Sequence, residues 1–410
     1  MKTFNVPSNY RSPLITAIKN RRRKEDKMKK DFSPTLLDFG PVQIFLARHF
    51  GFCYGVENAI EISFRTVEEN PGKRIFLLSE MIHNPRVNED LKERGIQFLQ
   101  NTYGHQLIPF ETLQPADIVI IPAFGTTLET QKHLHQLGIQ TEKYNTTCPF
   151  VEKVWNRAEQ IAGNRYSVVV HGKPKHEETR ATFSHAASNA PTIVINDMSE
   201  AKKLAQYIRK EKPAAAFYSE FKNQFSVGFD PEKDLRRIGV VNQTTMLASD
   251  TQAIADFLKT TILDFYQVNE ENAELHFADT RDTLCYATND NQEAVSGMLG
   301  TKADIAIVVG GYNSSNTSHL VELCEEKLPT YFISSEEKIL SASDILHYDL
   351  HKKEENRTVN YLPDNVPARI LITSGASCPD AMVEDVIKKI IEFYPGHYEL
   401  GVLIDLIKNT

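Results

Sequence analysis

The chain has 410 residues, 41% of them hydrophobic and 24% charged, with a formal net charge of −8 and a mean hydropathy of −0.36. That length buries a substantial core in roughly two or three domains, and no apolar run reaches the roughly eighteen residues that span a bilayer. The acidic balance (pI near 5.9) gives no broad positive field for nucleic acid, and the five cysteines, an odd number in a long chain, read as reduced thiols rather than a disulfide framework.

Residues 1–40 read as an N-terminal arm. It holds the one strong charge run, Arg21, Arg22, Arg23, Lys24, Lys27, Lys29 and Lys30, which reads as the solvated face of a helix. Glu25, Asp26 and Asp31 inside the run argue against an organellar presequence, and no apolar core with a small-residue cleavage site precedes it. The expected compartment is the cytoplasm, with neither membrane nor nucleic acid as partner.

From about residue 41, short β-rich runs alternate with amphipathic segments, the pattern of α/β layers with largely parallel strands. The strongest strand candidates are residues 75–81, 117–123, 166–172, 237–243, 304–311 and 368–375. They group behind Cys53, Cys148 and Cys285: each cysteine leads into a helix, then a strand and polar loop, then a second strand and polar loop. Pro149, directly after Cys148, suits a first helical turn. The expected architecture is three similar α/β domains in a pseudo-threefold arrangement, over residues 41–145, 146–280 and 281–379. The tail, 380–410, returns to complete the first domain or stands apart. Ligands of open α/β sheets collect beyond the carboxyl ends of strands, so the polar loops and the cysteines are expected at one cavity.

The cysteines lie 148 − 53 = 95 and 285 − 148 = 137 residues apart, so only a fold can bring them together. Close pairs of the CxxC kind, usual for structural zinc, are absent. Iron–sulfur clusters normally take four thiolates; three leave one position open for a ligand that is not protein. Cys324, on an apparent helix face, and Cys378, after a Gly-Ala-Ser turn, read as ordinary thiols.

The loops between strands and helices offer donors. Residues 313–317, Asn-Ser-Ser-Asn-Thr, follow a glycine pair, and Ser374 and Ser377 flank Gly375. Neutral donors beside helix N-termini cradle phosphate, although a turn-and-cap segment looks the same. His83 and His176 follow strands at matching places in two units. Glu177 and Glu178, beside His176, suit proton delivery or the first turn of a helix. Gln243, Thr244 and Thr245 either contact a ligand or cap a helix.

In family order, the segments GFCYGVENAI, EMIHNPRV, NTTCPFVEKV, NQTTM, CYATNDNQEAV, VVGGYNSSNT and TSGASCPD resemble the 4-hydroxy-3-methylbut-2-enyl diphosphate reductase family over roughly residues 45–385. The resemblance implies a [4Fe–4S] cluster held by Cys53, Cys148 and Cys285 at the centre of the three domains, its open iron taking the substrate's terminal hydroxyl. Two electrons and two protons then remove that hydroxyl as water, giving isopentenyl and dimethylallyl diphosphates. It also implies that His83, His176, Thr244, Ser314, Ser315, Asn316 and Ser377 hold the diphosphate, that Glu178 delivers a proton, with Glu177 the competing choice, and that a small ferredoxin or flavodoxin donates electrons. Phe124 stands where short bacterial members carry a histidine, and the loop containing Lys173 to Thr182 is longer than theirs. Both features look more like the plant and cyanobacterial branch.

Overall fold

The computed structural model describes residues 4–278 and 283–409; the expected boundary at 280/281 lies outside them. The chain is mixed α/β and divides into two compact units, one made of Met1–Glu61, Ile82–Glu89 and Tyr286–Thr410, the other of Ile62–Met81 and Asp90–Cys285. Among the described residues no helix is long and apolar enough to cross a membrane. In chain order the strands are β1 (Thr35–Asp38), β2 (Val42–Leu46), β3 (Ile75–Leu77), β4 (Gln97–Phe98), β5 (Ile118–Ile120), β6 (Ser167–His171), β7 (Thr192–Ile195), β8 (Ile238–Asn242), β9 (Ile305–Val309), β10 (Thr330–Ile333), β11 (Asp344–Asp349), β12 (Glu354–Val359) and β13 (Ala368–Ser374). Each of the six expected strand segments contains one of them.

The first unit is built on a five-stranded sheet of order β1-β2-β13-β9-β10, parallel except for β1 against β2. Ile44 faces Ile370 and Ile372 faces Ile307 across it. Every residue of β9 is buried. Such a continuous apolar run suits a parallel sheet covered on both faces. Helix α1 (Pro13–Glu25) starts at a sequence-encoded cap, where Ser12 Oγ accepts from the Ile15 N–H at 2.9 Å and Pro13 takes the first turn. Its apolar side, Leu14, Ile15 and Ile18, is buried in the unit's core. The cap is anchored by buried Glu384, which accepts from the Ser12 hydroxyl and, at 3.4 Å, from the Leu14 N–H. A hairpin, β11–β12, lies between β10 and β13 in the chain.

The second unit contains two three-stranded parallel sheets, β4-β3-β5 and β7-β6-β8. β6 and β8 are buried throughout, and apolar clusters flank them.

The helices that carry the site are α2 (Tyr54–Glu69), α3 (Pro149–Gly163), α4 (Glu177–Ala187), α5 (Tyr286–Met298), α6 (Ser315–Glu325) and α7 (Asp380–Ile391). Each of Cys53, Cys148 and Cys285 directly precedes a helix: α2, α3 and α5.

Candidate active site

In the first unit, β2, β9 and β13 are parallel neighbours, so the loops leaving their carboxyl ends share one edge of the sheet. Those loops carry Cys53, Ser314 and Ser377, and Ser315 and Asn316 open the helix α6 that follows one of them. Hydrogen bonds join them. The Cys53 N–H donates to the Ala376 carbonyl at 3.2 Å, and the Ala376 N–H donates to Asn316 Oδ1 at 2.9 Å. Asn291, on α5, donates to the same oxygen at 3.4 Å. With Oδ1 so held, the Asn316 amide nitrogen is buried without a hydrogen-bond partner among the described residues, and so is Ser315 Oγ. Buried donors left over in this way ask for a ligand. Ser314 is the N-cap of α6: its Oγ accepts from the Thr317 N–H at 3.3 Å and the Thr317 hydroxyl at 2.9 Å, leaving its own proton to donate. His83 joins the group through its backbone, because the Ser377 hydroxyl donates to its carbonyl at 3.2 Å. A Cβ on Gly311 would fall 2.3 Å from that carbonyl oxygen, so only glycine permits this approach.

In the second unit the loops after β5, β6 and β8 converge likewise. The Cys148 N–H donates to the Ala123 carbonyl at 3.0 Å, and the Cys285 N–H to the Thr244 carbonyl at 3.2 Å. Glu178, 1% exposed, accepts from the Thr244 N–H and, at 3.0 Å, from the Thr244 hydroxyl. His176 caps α4, its Nδ1 accepting from the Glu178 N–H at 3.2 Å, which leaves Nε2 to carry the ring proton. Gln243 ties the two loops together: its Oε1 accepts from the Lys173 N–H at 3.1 Å and the Thr179 hydroxyl at 2.9 Å. The Gln-Thr-Thr run marks the place in the sequence, but nothing local in it signals this bridging role. Gly172 lets the loops close, since a Cβ there would lie 2.6 Å from Thr179 Oγ1.

Electrostatics separate the two glutamates. Glu178 is among the charges that act on Cys148, whereas Glu177 acts on Arg180 and offsets the burial that lowers the guanidinium's pKa. Burial pushes the Cys148 thiol up to about 12, and Cys285 and Glu178 push the same way, against backbone N–H groups of α3 that pull it down. A helix N-terminus ordinarily favours the thiolate; here burial outweighs it, and a bound metal would favour the thiolate again. No disulfide engages any of the five cysteines. Among the described residues no group of three or more His, Cys, Asp or Glu side chains is itself set to hold a single metal ion.

Residues 44–391 match the model of the LytB protein family. This chain belongs to the LytB family. Within it, the chain is 40% identical over 393 residues to the 4-hydroxy-3-methylbut-2-enyl diphosphate reductase of Crocosphaera subtropica, covering 96% of this chain and 91% of that one. It is 38% identical over 386 residues to the reductase of the same name from Picosynechococcus, covering 94% and 90%. Its fold is similar to that of the E-1-hydroxy-2-methyl-but-2-enyl-4-diphosphate reductase from Plasmodium falciparum, with a TM-score of 0.62 at 20% identity over 90% of this chain and 99% of that one. At the position where this LytB chain departs from the short bacterial pattern, the Phe124 ring meets the His176 ring edge-on, centroids 5.6 Å apart. An aromatic wall for His176 thus stands in place of a further imidazole.

Proposed function

We propose that this LytB family member reductively removes the terminal hydroxyl of 4-hydroxy-3-methylbut-2-enyl diphosphate as water, taking up two electrons and two protons and yielding isopentenyl and dimethylallyl diphosphates. The observation that carries the reading is Glu178, a buried acid clamped by Thr244 beside Cys148 in a chain of this family.

The donor set fits a [4Fe–4S] cluster on Cys53, Cys148 and Cys285: three unbridged cysteines at helix starts, whose thiolates a metal would stabilise. When bound, the cluster supplies a Lewis-acidic iron and a route for electrons. The remaining roles belong to side chains. Ser315 and Asn316 have donors to spare and bind the diphosphate, with Ser314, Ser377, His83, His176 and Thr244 completing the cradle. The N-terminus of α6 adds its dipole. Glu178 holds the proton that leaves with the hydroxyl, and the Thr244 clamp fixes its carboxyl group. A small ferredoxin or flavodoxin supplies the electrons. The largely parallel sheet of the first unit and the two parallel sheets of the second support a division into three α/β domains.

The test is to purify the protein without oxygen, record its visible absorption, and add the hydroxylated diphosphate with reduced methyl viologen. The reading expects a broad brown absorption and both products. A colourless protein that merely binds the diphosphate would overturn it.

A further inference from the structure

The basic arm has no role in the chemistry above, yet its charges fall into two sets. Arg21 pairs with Glu25 at 2.7 Å and Arg22 with Asp31 at 2.9 Å, both within the arm, while Lys29 reaches Asp290 at 3.2 Å and ties the arm to α5. Arg23, Lys24, Lys27 and Lys30 are exposed, and no carboxylate lies within ion-pair distance of them among the described residues. Met28, between the lysines, is 75% exposed.

The paired set shows where the surface lies. Asp290 is on the first turns of α5, and Lys29 Nζ also sits 5.7 Å from the centre of the Tyr286 ring. The Tyr286 hydroxyl accepts from the Tyr54 N–H at 3.4 Å. Both tyrosines are partly exposed, at 38% and 37%, and each directly follows a proposed cluster ligand, Cys285 or Cys53. Lys29, flanked in the chain by unpaired cations and an exposed methionine, thus reaches one of two tyrosines that follow the proposed cluster ligands. Aromatics, methionine and arginine are the residues enriched at protein interfaces, and a positive rim steers a negative partner. On a chain of net charge −8, a local positive surface selects an acidic partner by contrast with its surroundings.

We propose that Arg23, Lys27 and Lys30, with Met28, Tyr54 and Tyr286, form the docking surface for a small acidic one-electron carrier protein. The proposal rests on the reductase reading. Two reduced carriers dock in turn, each oxidised by one electron; with two protons, these electrons release the substrate hydroxyl as water.

The test compares two reductants on the cluster-loaded full chain: reduced methyl viologen, which needs no docking surface, and a reduced plant-type ferredoxin as the acidic carrier. Arg23→Glu/Lys27→Glu/Lys30→Glu is expected to raise KM for the ferredoxin at least about tenfold and to flatten its dependence on salt, with turnover on methyl viologen unchanged. Lys202→Glu/Lys203→Glu/Lys222→Glu, an equal charge change at exposed sites in the second unit, is expected to leave both as they are. A ferredoxin KM within twofold of the unsubstituted chain's in the first variant would overturn the docking surface, as would an equal rise in the second. Loss of binding to anionic phospholipid vesicles in the first variant, with its ferredoxin KM unchanged, would overturn it too and point to a membrane instead. Failure of the unsubstituted chain to turn over on methyl viologen would instead overturn the reductase reading.

Discussion

Glu178→Gln isolates the proton donor from the shape of the site. The carboxylate accepts two hydrogen bonds from Thr244. A charged acceptor contributes about 1.5–3 kcal/mol per bond and a neutral one about 0.5–1.5. In the amide one oxygen still accepts from Thr244, while the other becomes an NH2 to which the Thr244 hydroxyl must turn its lone pair; with both bonds now neutral the loss is about 1 kcal/mol per bond, about 2 in all. Two effects offset that loss: the buried group no longer carries charge, and the negative neighbour of Cys148 disappears. The variant should fold, keep its iron and bind the diphosphate. Losing a positioned general acid costs about a hundred- to ten-thousandfold in rate, which is about 3–5 kcal/mol in the barrier. Glu177→Gln makes the contrast, since Glu177 acts on Arg180; it should lower the melting temperature more than the rate. The assay is product formation under saturating methyl viologen, with iron content and thermal unfolding measured on the same samples. Glu178→Gln turnover within about threefold of the unsubstituted chain, or collapse of turnover in Glu177→Gln, would refute the assignment.

Cys53→Ser, Cys148→Ser and Cys285→Ser should each lose visible absorption and activity while keeping the fold, since none of these thiols is in a disulfide; full iron and sulfide in any one would remove that residue from the ligand set. Gly311→Ala places a Cβ 2.3 Å from the His83 carbonyl oxygen, and such overpacking should destabilise the first unit by about 1–3 kcal/mol and raise KM for the diphosphate; an unchanged melting curve would contradict the contact. Burial lowers the His49 pKa from 6.5 to about 4, helped by the positive charge of Arg48. Because the folded value lies below the unfolded one, the unfolded chain binds the extra proton, and stability is lost as pH falls from 6.5 through 4. His49→Phe should therefore lose less melting temperature than the unsubstituted chain over that window, and equal slopes would refute the burial argument.

Much of the fold was legible because β6, β8 and β9 hold short runs of Val and Ile flanked by polar loops, the pattern of a buried parallel strand. The partner of β2 was not legible. Val42–Leu46 pairs with β13, more than three hundred residues on, and local patterning carries no record of such pairing. The short β4 and the β11–β12 hairpin, with its many exposed polar positions, give weak alternation and also escaped. At the site, the cysteines could be read because each precedes a helix. The part played by His83 could not be anticipated, since its backbone carbonyl rather than its ring meets Ser377. Phe124 could be seen as a departure, but its contact with His176 depends on two loops approaching in space. Ser315 and Asn316 read in the sequence as any polar turn, because the burial of their donors without partners among the described residues is a fact of packing, not of local pattern.

In the proposed chemistry Cys53, Cys148 and Cys285 hold a cluster whose remaining iron binds the substrate. Mössbauer spectra of protein loaded with ⁵⁷Fe, recorded with and without the hydroxylated diphosphate, test it most directly. One iron distinct from the rest is expected, with a change confined to that iron when the diphosphate is added. Equivalent irons that do not respond to the diphosphate would contradict it.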